Sequence, residues 1–205
     1  MFYFTRPSEF QIAAFLLRQT DLPFSYPEAR CTQNLQAPVG YAADRYRVRL
    51  GDGAAVFHDA RAAIERWAMF PRVMAEVYWP DAPIQAGSVV ATLIRGCGLW
   101  TLNACRIVYV IDEPGPPARF GFAYGTLVGH MERGEERFLV EQLPDGSVWF
   151  EIKAYSRPAH PLLWLGYPIV RRQQRRFGRL ALLAMADEVQ RTHAARGQLA
   201  AAVPA

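Results

Sequence analysis

Between Tyr124 and Glu136 the chain gathers a phenol, a hydroxyl, an imidazole and several carboxylates: Tyr124, Thr126, His130, Glu132, Glu135 and Glu136. An imidazole beside carboxylates has the composition of an acid–base pair. His130 would be the general base or acid, Glu132 or Glu135 would tune it, and Tyr124 would donate a hydrogen bond. The same residue types ligate metals, but His-x-Glu across a turn is not an established ligand spacing, so no metal site is expected. Ser156 and cysteines 31, 97 and 105 lie in no nucleophile elbow, and Cys105, in mid-strand, reads as a small core residue. No glycine-rich phosphate loop follows a strand, and no cofactor is expected.

What these groups can do depends on the elements that place them. The run Phe120–His130 alternates. Gly121, Ala123, Gly125, Leu127 and Gly129 fall on one face, and Phe120, Phe122, Tyr124, Thr126, Val128 and His130 on the other. Recurrent glycine in a strand marks a bend or a close approach by another element. If the other face looks into a cavity, Tyr124, Thr126 and His130 are polar groups in an aromatic pocket. If not, they are half-exposed or satisfied core polars. Gly134-Glu135-Glu136 reads as a turn, with the two glutamates opening an edge-facing strand.

The remaining periodicities supply the frame. Ser8 is a candidate N-cap for a short helix with Phe10, Ala13, Ala14 and Leu17 on its stripe. A first strand spans 43–50, and Gly51-Asp52-Gly53 breaks it. Phe57, Ile64, Trp67 and Ala68 then mark a helix that Pro71 stops. Strands are expected at 73–79, 88–94, 99–112, 120–130, 136–143 and 148–156, joined by Pro-Asp, Pro-Gly-Pro-Pro and Pro-Asp-Gly turn chemistry. A long helix runs from about 168 to 193. Consecutive strands with short links form an antiparallel meander. The fold class is therefore α+β, a curved antiparallel sheet with a long C-terminal helix across one face and room for a cavity between them. The expected organisation is an N-terminal extension (1–20), a single domain (21–195) and a flexible tail (196–205).

Trp67, Trp100, Phe122 and Trp149 are candidate walls of a hydrophobic ligand site, with Tyr124, Thr126 and His130 as its orienting polar groups; the same aromatics would equally fill a core. On the last helix Arg171, Arg172, Arg175, Arg176 and Arg179 fall within an arc of about 140°. That arc is either a solvated face or a contact for an anionic lipid surface or an acidic partner. Nucleic acid is disfavoured, because no reading motif accompanies the patch and the net charge is only +4.

The 205 residues suffice for one large core without disulfide or metal staples. Three cysteines without C-x-x-C spacing fit a reducing compartment. No apolar run is long enough to span a bilayer and no leader pattern precedes the domain, so a cytoplasmic location is expected.

The chain resembles the bacterial and plant domain-of-unknown-function family nineteen-ninety. The resemblance rests on Phe24-Ser25-Tyr26-Pro27-Glu28, Pro38-Val39-Gly40-Tyr41, Leu50-Gly51-Asp52-Gly53, Phe57 with Ala60, and Trp67-Ala68-Met69-Phe70. It continues through Phe120–His130, Glu132, Gly134-Glu135-Glu136, Phe138, Val148-Trp149 and Ser156-Arg157-Pro158. It covers about residues 20–190. At fold level the family resembles the START-like, Bet v 1-like helix-grip proteins, which wrap a curved sheet around a C-terminal helix and often hold hydrophobic ligands. Such a resemblance implies a fold and no particular activity. Three readings follow: a non-catalytic binding module for a hydrophobic or amphipathic small molecule or lipid; a cavity enzyme of cyclase or hydratase type using His130; and an interaction protein acting through the arginine helix.

Overall fold

The computed structural model describes residues 1–27, 29–33, 37–79, 81–96 and 98–202, with the side chains of 197 and 199–202 left aside. Glu28 of the family-like motif, Cys97 and the last residues of the expected tail lie outside the described residues.

The chain runs β1 (Phe2–Tyr3), α1 (Glu9–Leu17), β2 (Ala42–Asp52), α2 (Gly53–Glu65), β3 (Ala75–Tyr78), β4 (Val89–Gly96), β5 (Leu99–Glu113), β6 (Ala118–Thr126), β7 (Glu132–Gln142), β8 (Ser147–Pro158), α3 (Pro161–Leu165) and α4 (Tyr167–Ala202). The strands form one antiparallel sheet in the order β2-β8-β7-β6-β5-β4-β3, and β1 pairs with β5. From β3 to β8 this is the meander that the turn chemistry predicts, and β2 closes the sheet beside β8.

One face of the sheet curves around α2 and α4. Its floor is built in rows of cross-strand partners. Phe120, Val140, Phe150 and Val48 make one row, and Phe122, Phe138, Ile152 and Tyr46 the next. Phe122, Phe138, Phe150 and Ile152 are fully buried there, with Ala181, Met185 and Val189 of α4 and Val56, Ala60, Ala63 and Ile64 of α2 packed over them. The opposite, convex face is covered by α1, whose Ile12, Phe15 and Leu16 pack on Leu93, Leu102 and Leu127.

Local chemistry explains several boundaries. Ser8 caps α1 in a reciprocal box with Gln11. The buried stripe of α1 is Ile12, Phe15 and Leu16, whereas Phe10 and Leu17, assigned to it from sequence, are exposed. α2 stops at Glu65, ahead of the proline that marked its end, because the chain turns through Trp67 at a φ of 56°. β6 ends at Thr126 rather than at 130. Gly129 takes a φ of 92°, a left-handed turn that glycine favours. Gly134-Glu135-Glu136 is accordingly no turn; it lies inside β7, a central strand. α4 runs beyond the expected His193 to Ala202, as alanine is the strongest helix former and only Gly197 interrupts the run. The first twenty residues contribute a strand and a helix to the sheet instead of standing apart from it.

Candidate functional site

The β6–β7 hairpin pairs residues at equal distances from position 130, so Tyr124 faces Glu136. The same row continues through Ala154 of β8 to Asp44 of β2. A polar row thus lies directly beside the two aromatic rows, beneath the first turns of α4. Tyr124 donates from its hydroxyl to Glu136 Oε2 at 2.7 Å. Two rows further out, Glu132 Oε1 accepts from Gln174 Nε2, which also reaches Ser156 Oγ of the intervening row at 3.1 Å. Arg171 donates to both oxygens of Asp44, at 2.6 and 2.8 Å, and to Gln174 Oε1. Gln174 and Arg171 stand three residues apart on the inward arc of α4, so one helix face joins Asp44 to Glu132. Gly178, one turn on, lets the helix come close: a Cβ there would sit 2.4 Å from the Tyr46 ring.

This polar group is electrostatically unusual. Desolvation pushes the Glu136 carboxyl up to about 7, reinforced by Glu132 and Asp44 and opposed by the Tyr124 hydrogen bond. Desolvation also lifts Glu132 to about 7, against Gln174 and Arg171. The Tyr124 phenol is held far above its ordinary range by burial and by Glu136. Near neutrality, then, each of the two half-buried carboxyls can accept or donate a proton, and the phenol stays a donor. The aromatic floor adjoining them comprises Trp67, whose ring centroid is 4.8 Å from that of Phe122, and Phe70, which contacts Phe138 and Phe177 at 5.7 and 5.6 Å. Trp67 is buried, and its Nε1 has no hydrogen-bond partner among the described residues.

The structure brings together part of the site read from sequence. Trp67, Phe122, Tyr124 and Glu132 meet on the concave side. His130 does not join them, because β6 has already ended. It lines a separate cleft of about 230 Å³ with Ser25, Met131, Arg133 and His160. Its Nδ1 accepts from the Glu132 backbone N–H at 2.9 Å, and burial lowers its pKa to about 4, so the ring is neutral with the proton on Nε2. The Glu132 carboxylate is turned away to Gln174.

Glu135 lies on the convex face, buried, and is no partner of His130. It accepts from the Tyr26 hydroxyl at 2.7 Å, from the backbone N–H groups of Arg30 and Thr32, and from the Thr32 hydroxyl. This clamps the segment before β2 onto the sheet. Gly125, opposite Glu135 in register, leaves the space in which the Tyr26 ring lies: a Cβ there would stand 2.1 Å from its oxygen. The close approach inferred from the glycine face is therefore made by a loop tyrosine.

Thr126 is buried and staples the strand end, bonding Gly134 through its N–H and carbonyl and Ser25 through its hydroxyl. Trp100 packs with the α1 cluster, on the face away from α4. Trp149 also faces away, beneath the Arg47 guanidinium at 4.5 Å, because alternation turns its neighbours Val148 and Phe150 into the core. Neither tryptophan walls the concave site. Arg171 leaves the arginine patch for Asp44, while Arg172, Arg175, Arg176 and Arg179 remain exposed.

The sequence reading left out Asp44, Gln174, Ser156 and Phe138 as site residues, and counted Glu136 among the carboxylates near His130 while placing it on an edge-facing strand. Glu136 had a usable signal: with the turn centred on 130 rather than on 134, Tyr124 and Glu136 become cross-strand partners. Asp44 and Gln174 are brought in only by the packing of α4 on β2 and had none.

A curved antiparallel sheet gripping a C-terminal helix is the START-like helix-grip fold, the class expected from sequence. The model of the family described as "Domain of unknown function (DUF1990)" matches residues 25–184, and the chain belongs to that family. A "UPF0548 protein" of Deinococcus radiodurans is 37% identical over 191 residues, covering 87% of this chain and 94% of its own. One of Dictyostelium discoideum is 32% identical over 195 residues, covering 86% and 90%. Among solved structures, the Thermus thermophilus protein TTHA0849 superposes with a TM-score of 0.53 at 11% identity, over 74% of this chain and 99% of that one; this likeness concerns the fold alone. Among the described residues no helix is long and apolar enough to cross a membrane.

Proposed function

We propose that the protein binds an amphipathic small molecule on the concave side of the sheet. Its apolar body would lie against Trp67, Phe70, Phe122 and Phe138, and its polar head would meet Tyr124, Glu136 and Glu132. One observation carries this reading: two half-buried carboxyls, Glu136 on the Tyr124 hydroxyl and Glu132 on Gln174, sit at the edge of an otherwise aromatic layer, where burial raises both. Holding them there works against stability, and proteins keep such costs where a ligand or reaction uses them. The unpartnered Trp67 Nε1 supports it, offering a donor in the apolar floor. The head group that suits the row is a basic amine or a hydroxyl, because the carboxyls accept from either. Filled aromatic packing means that a ligand enters where α4 and the row are half-exposed, beneath Gln174, with Phe70 and Phe177 moving aside.

The test is native mass spectrometry of gently purified protein, followed by denaturing extraction and identification of any bound molecule. A stoichiometric adduct lost in Glu132→Gln/Glu136→Gln supports the site. An adduct retained by that variant refutes the head-group assignment.

The same pair also favours a second reading, a proton-transfer enzyme. Its acid and base would be Glu136 and Glu132, with Tyr124 as donor, instead of His130, whose low pKa and separate cleft remove it from this side of the sheet. Turnover of the extracted ligand that disappears in Glu136→Gln while binding persists would select this reading.

A further inference from the structure

We propose that α3 and the outer face of α4 form a dock for an anionic phospholipid surface. The observation is a juxtaposition of exposed apolar side chains with unpaired arginines. Leu162, Trp164 and Leu165 of α3 are 59%, 57% and 87% exposed, and Ile169 at the start of α4 is 56% exposed. On α4 the packed arc is Gly178, Ala181, Met185 and Val189. Successive residues turn by about 100°, so Ile169, Arg172, Arg176 and Leu183 lie on the opposite arc, flanked by Arg175 and Arg179. All four arginines are exposed, and none has an ion pair among the described residues. No acidic residue occurs between Glu151 and Asp187, so once Arg171 is paired with Asp44 neither α3 nor the first turns of α4 supply an acid to balance Arg172, Arg175, Arg176 and Arg179.

The chemistry selects the occupant. The apolar residues protrude from a short helix instead of lining a groove, which suits insertion into a deformable interface. Tryptophan prefers the headgroup level, and guanidinium groups are weakly hydrated and pair with phosphate oxygens in a fork. A second copy of the chain would bring four more arginines against these four, so like charge opposes self-association through this face. Lipid phosphates neutralise the arginines while the acyl boundary takes Leu162, Trp164, Leu165 and Ile169. This surface stands apart from the polar row under α4, and docking there is independent of what the concave side holds.

The experiment is vesicle flotation of the full chain with phosphatidylcholine vesicles, with and without phosphatidylglycerol. The wild type should float with the anionic vesicles, and rising salt should release it. Arg172→Gln/Arg176→Gln/Arg179→Gln should weaken partitioning on the order of 100-fold. Trp164→Ser/Leu165→Ser should weaken it at high salt more than at low salt, since it removes insertion and leaves charge. All these positions are exposed, so circular dichroism should match the wild type. Equal partitioning to neutral and anionic vesicles, or anionic binding that survives the triple arginine change, overturns the proposal. So does a dimer in light scattering that dissolves in Trp164→Ser/Leu165→Ser while no vesicle binding is seen, and so does binding of polyglutamate without vesicle binding.

Discussion

Replacing Glu136 with Gln should make the protein more stable above neutrality and leave it unchanged in acid. The wild-type carboxyl rises from 4.5 when unfolded to about 7 when folded, chiefly through desolvation. In that interval the folded state binds more protons than the unfolded one, so stability falls as pH rises from about 4.5 to about 7 and is flat beyond. The full shift corresponds to about 3 kcal/mol, and solvent reaching this half-buried group trims it to about 1–3 kcal/mol. Glutamine keeps an oxygen for the Tyr124 hydroxyl and cannot ionise. Near pH 8 Glu136→Gln should therefore melt about 2–12 °C above wild type, at roughly 2–4 °C per kcal/mol for a domain of this size. Near pH 4.5 the two should coincide. Glu136 is raised by the Glu132 charge and such coupling is reciprocal, so the Glu132 titration should move down in the variant. Thermal melts across this range, with carboxyl carbon NMR on Glu-labelled protein, measure both effects. A variant no more stable than wild type near pH 8, or a difference independent of pH, refutes the reasoning.

Glu135→Ala should cost about 3 kcal/mol in urea unfolding, because the Tyr26 hydroxyl and the N–H groups of Arg30 and Thr32 lose their buried acceptor; a loss below about 1 kcal/mol would mean that the convex clamp contributes little. Gly178→Ala sets a helix-propensity gain of about 1 kcal/mol against a clash with the Tyr46 ring. Overpacking of about 1–3 kcal/mol should win, and the sign should reverse in a Tyr46→Ala background, a coupling that a double-mutant cycle reads directly. The His130 ring, held at about 4, should show no NMR titration between about pH 5.5 and 8, where an ordinary histidine titrates.

Local rules carried much of this fold. Period-two runs separated by Pro-Gly and Pro-Asp-Gly made a meander legible, and Ser8 marked the start of the first helix. The alternation from Phe120 put Phe122 and Tyr124 on one face of a strand, and that part of the run is strand with this face turned to the concave core. The same reasoning failed past the end of β6, where Gly129 reverses the chain and carries His130 to another cleft. Alternation does not say which face is covered, and by that rule alone Trp149 is as good a wall as Phe122.

What the sequence by itself determined was the class of fold, the strand that carries Phe122 and Tyr124 and the amphipathic character of the last helix. These are encoded by neighbours within a turn or a hairpin. Which carboxylates lie buried together was decided only by tertiary structure. Asp44, Glu132, Glu136, Gln174 and Arg171 come from three elements, β2, β7 and α4, and it is removal from water beneath α4 that raises Glu132 and Glu136. Desolvation is a property of the assembled layer, and no local spacing of residues records it.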